Sequence, residues 1–338
     1  MRSLIIGLVC FTLFSLSFTN DAKTNELTKQ LAANNFTHGA QLVSGYRSNS
    51  LQAEVPGVEN TSSKTTLYPF ESNGKWGYID NKGKLAFNPQ FEYAGKFSEG
   101  FAAVKKFAGK WGYISKDGYS TALEFDYAEQ FSEGLALVIV NGSYGYINKD
   151  GEFVINPVFE CARTYSEGLA AIKIDGKWGY IDKVGTLVIL PKFDFVPGDF
   201  SNGMATIFDG KSYGYINRSG EQKIQSSFEK AGKFHDGIAP IKEYNNMWGY
   251  IDKSGNYVIL PQYTEAKSFS EGLAPVRTNG KWGFIDKLGK IIINPLYDSA
   301  EEFVNGLALV ISNEDNGYID KTGKFIWLPL VYRTSSFL

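Results

Sequence analysis

Apolar and polar positions alternate in short bursts along this chain, and the same punctuation closes each burst. In "KWGYID", residues 75–80, a charged residue leads into Trp-Gly-Tyr-Ile and then Asp. A turn of the Asp-Lys-x-Gly type carries the chain into a second apolar burst such as "TLVIL" or "KIIIN". Runs this short, bounded by Gly, Asn and Asp, predict β-strands rather than helices. Lining up the aromatic before Gly gives Trp76, Trp111, Tyr144, Trp178, Tyr213, Trp248, Trp282 and finally Asn316, in steps of 33 to 35 residues. Such constancy marks a tandem array.

A composite unit reads P-x-F-[DE]-x-A-x-x-F-S-E-G-L-A-x-V-x-x-x-G-K-W-G-Y-I-D-K-x-G-K-x-V-I. Turn chemistry divides it into four strands. They are F-x-x-A-x-x-F, then L-A-x-V after Ser-Glu-Gly, then W-G-Y-I-D after Asn-Gly or Asp-Gly, then the apolar run after Asp-Lys-x-Gly. Alternation places Trp and Tyr on one sheet face and Gly and Ile on the other. With apolar fourth strands as well, the meander is expected to be buried on both faces between other sheets, the Gly side by closely approaching neighbours. The Lys before Trp is expected to lay its stem along the ring edge.

These motifs resemble the WG-repeat family, also described as KWG repeats and found mainly in bacterial proteins. The resemblance covers residues 67 to 337. Tyr144 and Tyr213 keep a ring where the motif has Trp; Asn316 loses it, with Trp327 expected as a substitute. The resemblance implies repeat architecture and export, and it carries no catalytic residues to transfer.

The fold class is thus all-β, built of tandem four-stranded units. Two arrangements fit: a closed propeller-like ring of about eight blades, or an open β-solenoid. The ring is favoured, because the first unit lacks the F-x-x-A-x-x-F strand while "PLVYRTSSF", residues 329–337, supplies one. Interlocked ends leave no exposed sheet edge.

Residues 1–19 are read as a signal peptide, with the apolar run 4–18 too short to span a membrane. Residues 20–66 form a polar, weakly ordered extension, and 67–338 the repeat domain. A net charge of −2 gives no footprint for nucleic acid. Cys10 falls in the leader, so Cys161 stands alone and is read as a small hydrophobe.

Candidate chemistry is sparse. Glu99, Glu133, Glu167 and Glu271, with Asp236, Asn202 and Asn305 in the same place, could form an acidic circle but are read as solvated turn residues. Asp80, Asp182, Asp252, Asp286 and Asp320 are read as turn caps. His38 and His235 offer no metal spacing, and no cofactor is expected. The repeated Trp and Tyr are read as packing between sheets rather than as a sugar platform. Function is expected on the variable hairpin loops, with Phe107, Phe208, Tyr244 and Met247 as contact residues. The expected role is a non-catalytic binding or scaffolding surface for protein or polysaccharide, exported to the periplasm, cell surface or medium. A propeller-type hydrolase acting on a glycan and a spacer of the cell envelope are the alternatives.

Overall fold

The computed structural model describes residues 53–54, 66–107, 109–120, 125–313 and 315–327; the leader, most of the extension, His38 and the strand expected at 329–337 lie outside them. The described residues contain strands and turns and no helix. They form eight antiparallel sheets that follow one another along the chain: 67–91, 93–120, 127–159, 161–193, 204–228, 230–263, 265–297 and 299–327.

The third sheet shows the plan, with strands Tyr127–Ala128, Ala136–Val140, Ser143–Ile147 and Phe153–Phe159 in simple meander order. Asn141 and Gly142 join its second and third strands with φ of 51° and 78°. Both values are positive, as the two-residue hairpin turn matched to strand twist requires. The first strand is only a two-residue bridge. Among the described residues it is missing from the first sheet, as the sequence predicts, and also from the fifth. There "FDFVPGDF" has one residue more than the other units, and Pro197 has no N–H to donate. Ala53–Glu54, from the extension, pairs with Tyr119–Ser120 at the edge of the second sheet.

The Gly of Trp-Gly has a specific cause. In the fourth sheet Trp178 pairs with Phe193 but Tyr180 pairs with Ile189, so two residues of the third strand face a longer stretch of the fourth. The surplus, Leu190-Pro191-Lys192, bulges across Gly179. A Cβ there would lie 2.5 Å from the Ile189 carbonyl oxygen and 2.7 Å from the Pro191 nitrogen. Gly77, Gly145, Gly214, Gly249 and Gly283 are covered in the same way. The closely approaching neighbour is therefore the unit's own fourth strand rather than another sheet. Proline suits the bulge because no ladder donor is needed there.

Seven apolar cores fill the seven gaps between consecutive sheets, each drawn from the two sheets that flank it. The stack is quasi-one-dimensional: each unit is stabilised by its neighbours. The fully buried ring at each seam is the second aromatic of W-G-Y, not the first. Tyr78, Tyr113, Tyr146, Tyr180, Tyr215, Tyr250 and Phe284 are at most 1% exposed. Each packs at 4.8–4.9 Å on the last ring of the next F-x-x-A-x-x-F, from Phe97 to Phe303. The six tyrosines donate to a main-chain carbonyl of the next unit, Tyr78 to Gly95 at 2.7 Å and Tyr180 to Gly198 at 2.6 Å among them. Burial pushes these hydroxyls far above their ordinary pKa, so they stay protonated donors.

Several sequence expectations change. Trp178 and Trp282 are buried, but Trp76, Trp111, Tyr144, Tyr213 and Trp248 are half-buried, so they share the packing without dominating it. The fourth strands are not covered on both faces. Each ends its meander, and alternate side chains such as Val188, Val258 and Ile292 emerge to 41–42% exposure. Trp327 does not replace the ring lost at Asn316; it lies opposite Tyr318 and is itself exposed. The Lys before Trp is used as a charge. Lys281 pairs with Asp298 at 2.5 Å, Lys110 and Lys177 pair likewise with Asp126 and Asp194, and Lys75 stands over the Phe107 ring.

Candidate functional site

Three surfaces carry candidate chemistry, and the sequence singles out the first two. The first is the ladder of Ser-Glu-Gly turns. Glu99, Glu133, Glu167 and Glu271 all sit at φ of 52–54°. A left-handed conformation costs an L-residue roughly 1–2 kcal/mol and favours Gly or Asn. The glutamates offset that strain by reaching into the next unit. Glu133 Oε2 accepts the Gly168 N–H at 2.8 Å, Glu99 takes Gly134, and Glu167 takes Gly203. Asn202 and Asp236 make the same bond to Gly237 and Gly272. Lys149, Lys183 and Lys321 add ion pairs of 3.0–3.1 Å to Glu99, Glu133 and Glu271. The preceding serines continue the ladder, as when Ser132 Oγ donates to the Tyr165 carbonyl at 2.9 Å. The solvated, tolerant turn expected here is in fact a clamp between sheets. His235 takes a serine's place, half-buried in its turn.

Burial pushes the Glu133 carboxyl up, but the Lys183 ammonium and the Gly168 and Glu167 amides outweigh it and leave the pKa lowered. Its contribution to stability is thus present above the unfolded value of about 4.5 and is lost as pH falls through the lower folded value. E133Q should lose about 0.5 kcal/mol at pH 7, as befits a partly solvated pair. The deficit should vanish in acid, read as thermal midpoints from pH 7 down to pH 3.

The Asp of Y-I-D caps its turn as expected. Asp80 Oδ1 accepts the Lys82 and Lys84 amides at 2.8 Å, and Asn148 and Asn217 do the same work. No group of three or more His, Cys, Asp or Glu among the described residues is placed to hold a metal ion.

The second surface is the set of hairpin loops, of which the one holding Tyr244 touches the one before it. Phe107 is exposed. Phe208 is half-buried against Phe195 and Tyr213. Tyr244 is exposed but fastened, its hydroxyl 2.7 Å from Ser212 Oγ and donating to the Lys211 carbonyl. Met247 is half-buried in a turn closed by Asn245.

The third surface was not singled out in the sequence. Trp76, Tyr93, Trp111 and Tyr127 form a row, drawn alternately from the third strand of one sheet and the first strand of the next. Ring centroids are 6.4, 5.0 and 5.1 Å apart and planes tilt by 44°, 51° and 61°. Tyr93 is 46% and Tyr127 37% exposed. Burial and then Glu129, which accepts from the Tyr127 hydroxyl at 2.8 Å, push that pKa up to about 12. A cavity of about 480 Å³ opens beside the row, lined by Tyr93, Lys96, Trp111, Tyr127, Glu129 and Gln130. The signal in the sequence is the residue before Ala in F-x-x-A-x-x-F. It reads Tyr93, Tyr127, Cys161, Phe195, Lys230, Glu265, Ser299, so it is free to vary. Cys161 is half-buried beside Tyr144.

No helix among the described residues is long and apolar enough to cross a membrane. No curated protein matches the chain in sequence. Among solved structures it is similar to the computationally designed Ika8 protein, with 11% identity, 82% of this chain and 100% of that one covered, and a TM-score of 0.43. BamB from Moraxella catarrhalis gives 13% identity, 82% and 96% coverage and a TM-score of 0.42. A eukaryotic initiation factor gives 13%, 79% and 96%, and 0.42. A family model, the WG containing repeat, matches seven times in tandem, at 76–111, 111–144, 144–178, 178–210, 213–246, 248–282 and 282–314. With those matches spanning most of the chain and the motif rings packed at each of the seven seams, the chain belongs to the WG-containing repeat family.

Proposed function

We propose that this protein is an exported, rigid binding scaffold for a protein or polysaccharide, acting without catalysis. The observation that carries the reading is the contrast between seams and surface. Six of the seven seams repeat the tyrosine hydroxyl bond, while the hairpin loops and the row beginning at Trp76 differ from unit to unit. Invariant framework with variable surface is the usual division of labour in binding repeats. Incubating the purified chain with glycan and peptide arrays tests it. Saturable retention without turnover supports the scaffold; release of cleaved product supports the hydrolase; no retention supports the spacer.

The same reading favours a closed ring. Tyr318 is 40% exposed where its counterparts are buried, and the first sheet has three strands among the described residues. Phe337 follows Tyr318 by the interval that separates Phe303 from Phe284. In that register Arg333 would stand opposite Glu71, reversing the Glu265–Arg277 pair seen at 2.5 Å in the seventh sheet. Directly paired positions are close enough for a disulfide. E71C/R333C, with both native cysteines changed to Ser, should oxidise to a cross-linked monomer. A cross-linked dimer, or no cross-link, would refute closure in favour of the open coil.

A further inference from the structure

Packing does not require the aromatic row. The position held by Tyr93 and Tyr127 is Lys230, Glu265 or Ser299 in later units, and those seams keep the same cores, the first two with the same hydroxyl bond. Rings at this place are therefore surplus to the fold; Tyr93 and Tyr127 are consecutive, whereas the third, Phe195, packs on Phe208.

The neighbouring positions differ as well. Between the fourth, fifth and sixth units the strip beside the row is closed by Arg163–Asp199 at 2.6 Å and Asp199–Lys233 at 2.8 Å. Lys267–Glu301 at 2.7 Å closes it between the seventh and eighth. Between the second and third, Lys96 and Gln130, the counterparts of Asp199 and Lys233, have no hydrogen-bond or ion-pair partner among the described residues. Gly95 and Glu129 stand where Lys267 and Glu301 pair, and the cavity opens there instead. The row and the cavity coincide at this seam, and they arise from different positions of the motif.

The ring geometry selects the ligand. Trp111 is flanked on both sides by tyrosines tilted at 51° and 61°, so the row presents ridges and notches rather than an open ring face. A sugar or a base stacks on a flat face. A polyproline II chain carries ridges of its own, one per turn of roughly 9 Å, and docks into notches between aromatic rings. Two steps of the row, 5.0 and 5.1 Å, put Tyr93 and Tyr127 no more than about 10 Å apart, on the scale of one such turn. Polar chemistry agrees. Lys96, Gln130 and the Tyr93 hydroxyl offer donors around the cavity, whereas the Glu129 carboxylate already accepts from Tyr127. A proline-rich backbone has free carbonyls to receive those donors and few N–H groups that need acceptors.

We propose that the groove along Trp76, Tyr93, Trp111 and Tyr127 binds proline-rich peptide segments in the polyproline II conformation. This deepens the scaffold reading and rests on it.

The test uses the full chain, a fluorescent decaproline peptide and, in parallel, a labelled neutral β-linked hexasaccharide. Y93K and Y127K install the residue that the sixth unit already carries at Lys230, so the fold tolerates them. Decaproline should bind wild type saturably, and each variant should lose at least tenfold in affinity with an unchanged thermal midpoint. Equal binding by the variants would overturn the site. Retention of the hexasaccharide but not the peptide, lost in Y93K, would overturn the peptide assignment and leave the scaffold reading standing. Retention of neither probe overturns this proposal, and the scaffold reading falls only if the wider arrays are silent too.

Discussion

Gly179→Ala should destabilise the protein by about 3 kcal/mol or more, at the upper end of what overpacking costs. The added methyl would lie 2.5 Å from the Ile189 carbonyl oxygen, 2.7 Å from the Pro191 nitrogen and 2.9 Å from the Leu190 carbonyl carbon. All three are main-chain atoms of the same sheet, so no side-chain rotation relieves the contact. The bulge must unbend, which would shift the Trp178–Phe193 pairing and with it the buried Tyr180. Gly176→Ala is the matched control. It lies three residues away with φ of 76° and open space around the new methyl, so only the left-handed backbone is penalised, by about 1 kcal/mol. Urea midpoints of the two variants separate the explanations. Equal losses would mean that the Gly of Trp-Gly is kept for flexibility, and the account of the bulge would fail.

Tyr215→Ala should cost about 4 kcal/mol, the usual range for emptying a buried aromatic site. The ring is fully buried, packs 4.9 Å from Phe234 and donates to the Gly232 carbonyl at 2.8 Å. Tyr215→Phe loses only the hydrogen bond, about 1 kcal/mol, and copies what the seventh unit does with Phe284 against Phe303. A second consequence separates this variant from an ordinary core mutant. Consecutive units are held together seam by seam, so a weak seam uncouples the array. Hydrogen exchange should then show the units on either side of Tyr215 opening with different free energies, where wild type opens them together. A single uniform loss across all eight sheets would contradict the quasi-one-dimensional description.

The sequence made the period, the strands and the turns legible, because each rests on chemistry within one unit. Asn141-Gly142 and the Asp80 cap are local devices, and local rules read them correctly. The role of Glu133 was not legible. Its partners, Gly168 and Lys183, lie one unit further along the chain, and within its own turn it looks like any solvated residue. The cause of the Gly in Trp-Gly was half legible. Alternation asks for a close neighbour, but the bulge that supplies it appears only as a register shift between paired strands. The half-exposed fourth strands escaped because Val, Ile and Leu at every position read as buried, whereas a strand that ends its meander leaves alternate residues outside the seam. The aromatic row escaped for the opposite reason. Its members come from two motifs about 17 residues apart, and only the stacking of sheets puts Tyr93 between Trp76 and Trp111.

The hydroxyl bonds that cross the seams end on main-chain oxygens, those of Gly95, Glu129, Arg163, Gly198, Gly232 and Lys267. An oxygen of the backbone is present whatever codon lies beneath it. Copies produced by gene duplication can therefore diverge at those places without loosening their grip on one another. A lineage can lengthen, shorten or repaint the array by recombination while the joints stay the same.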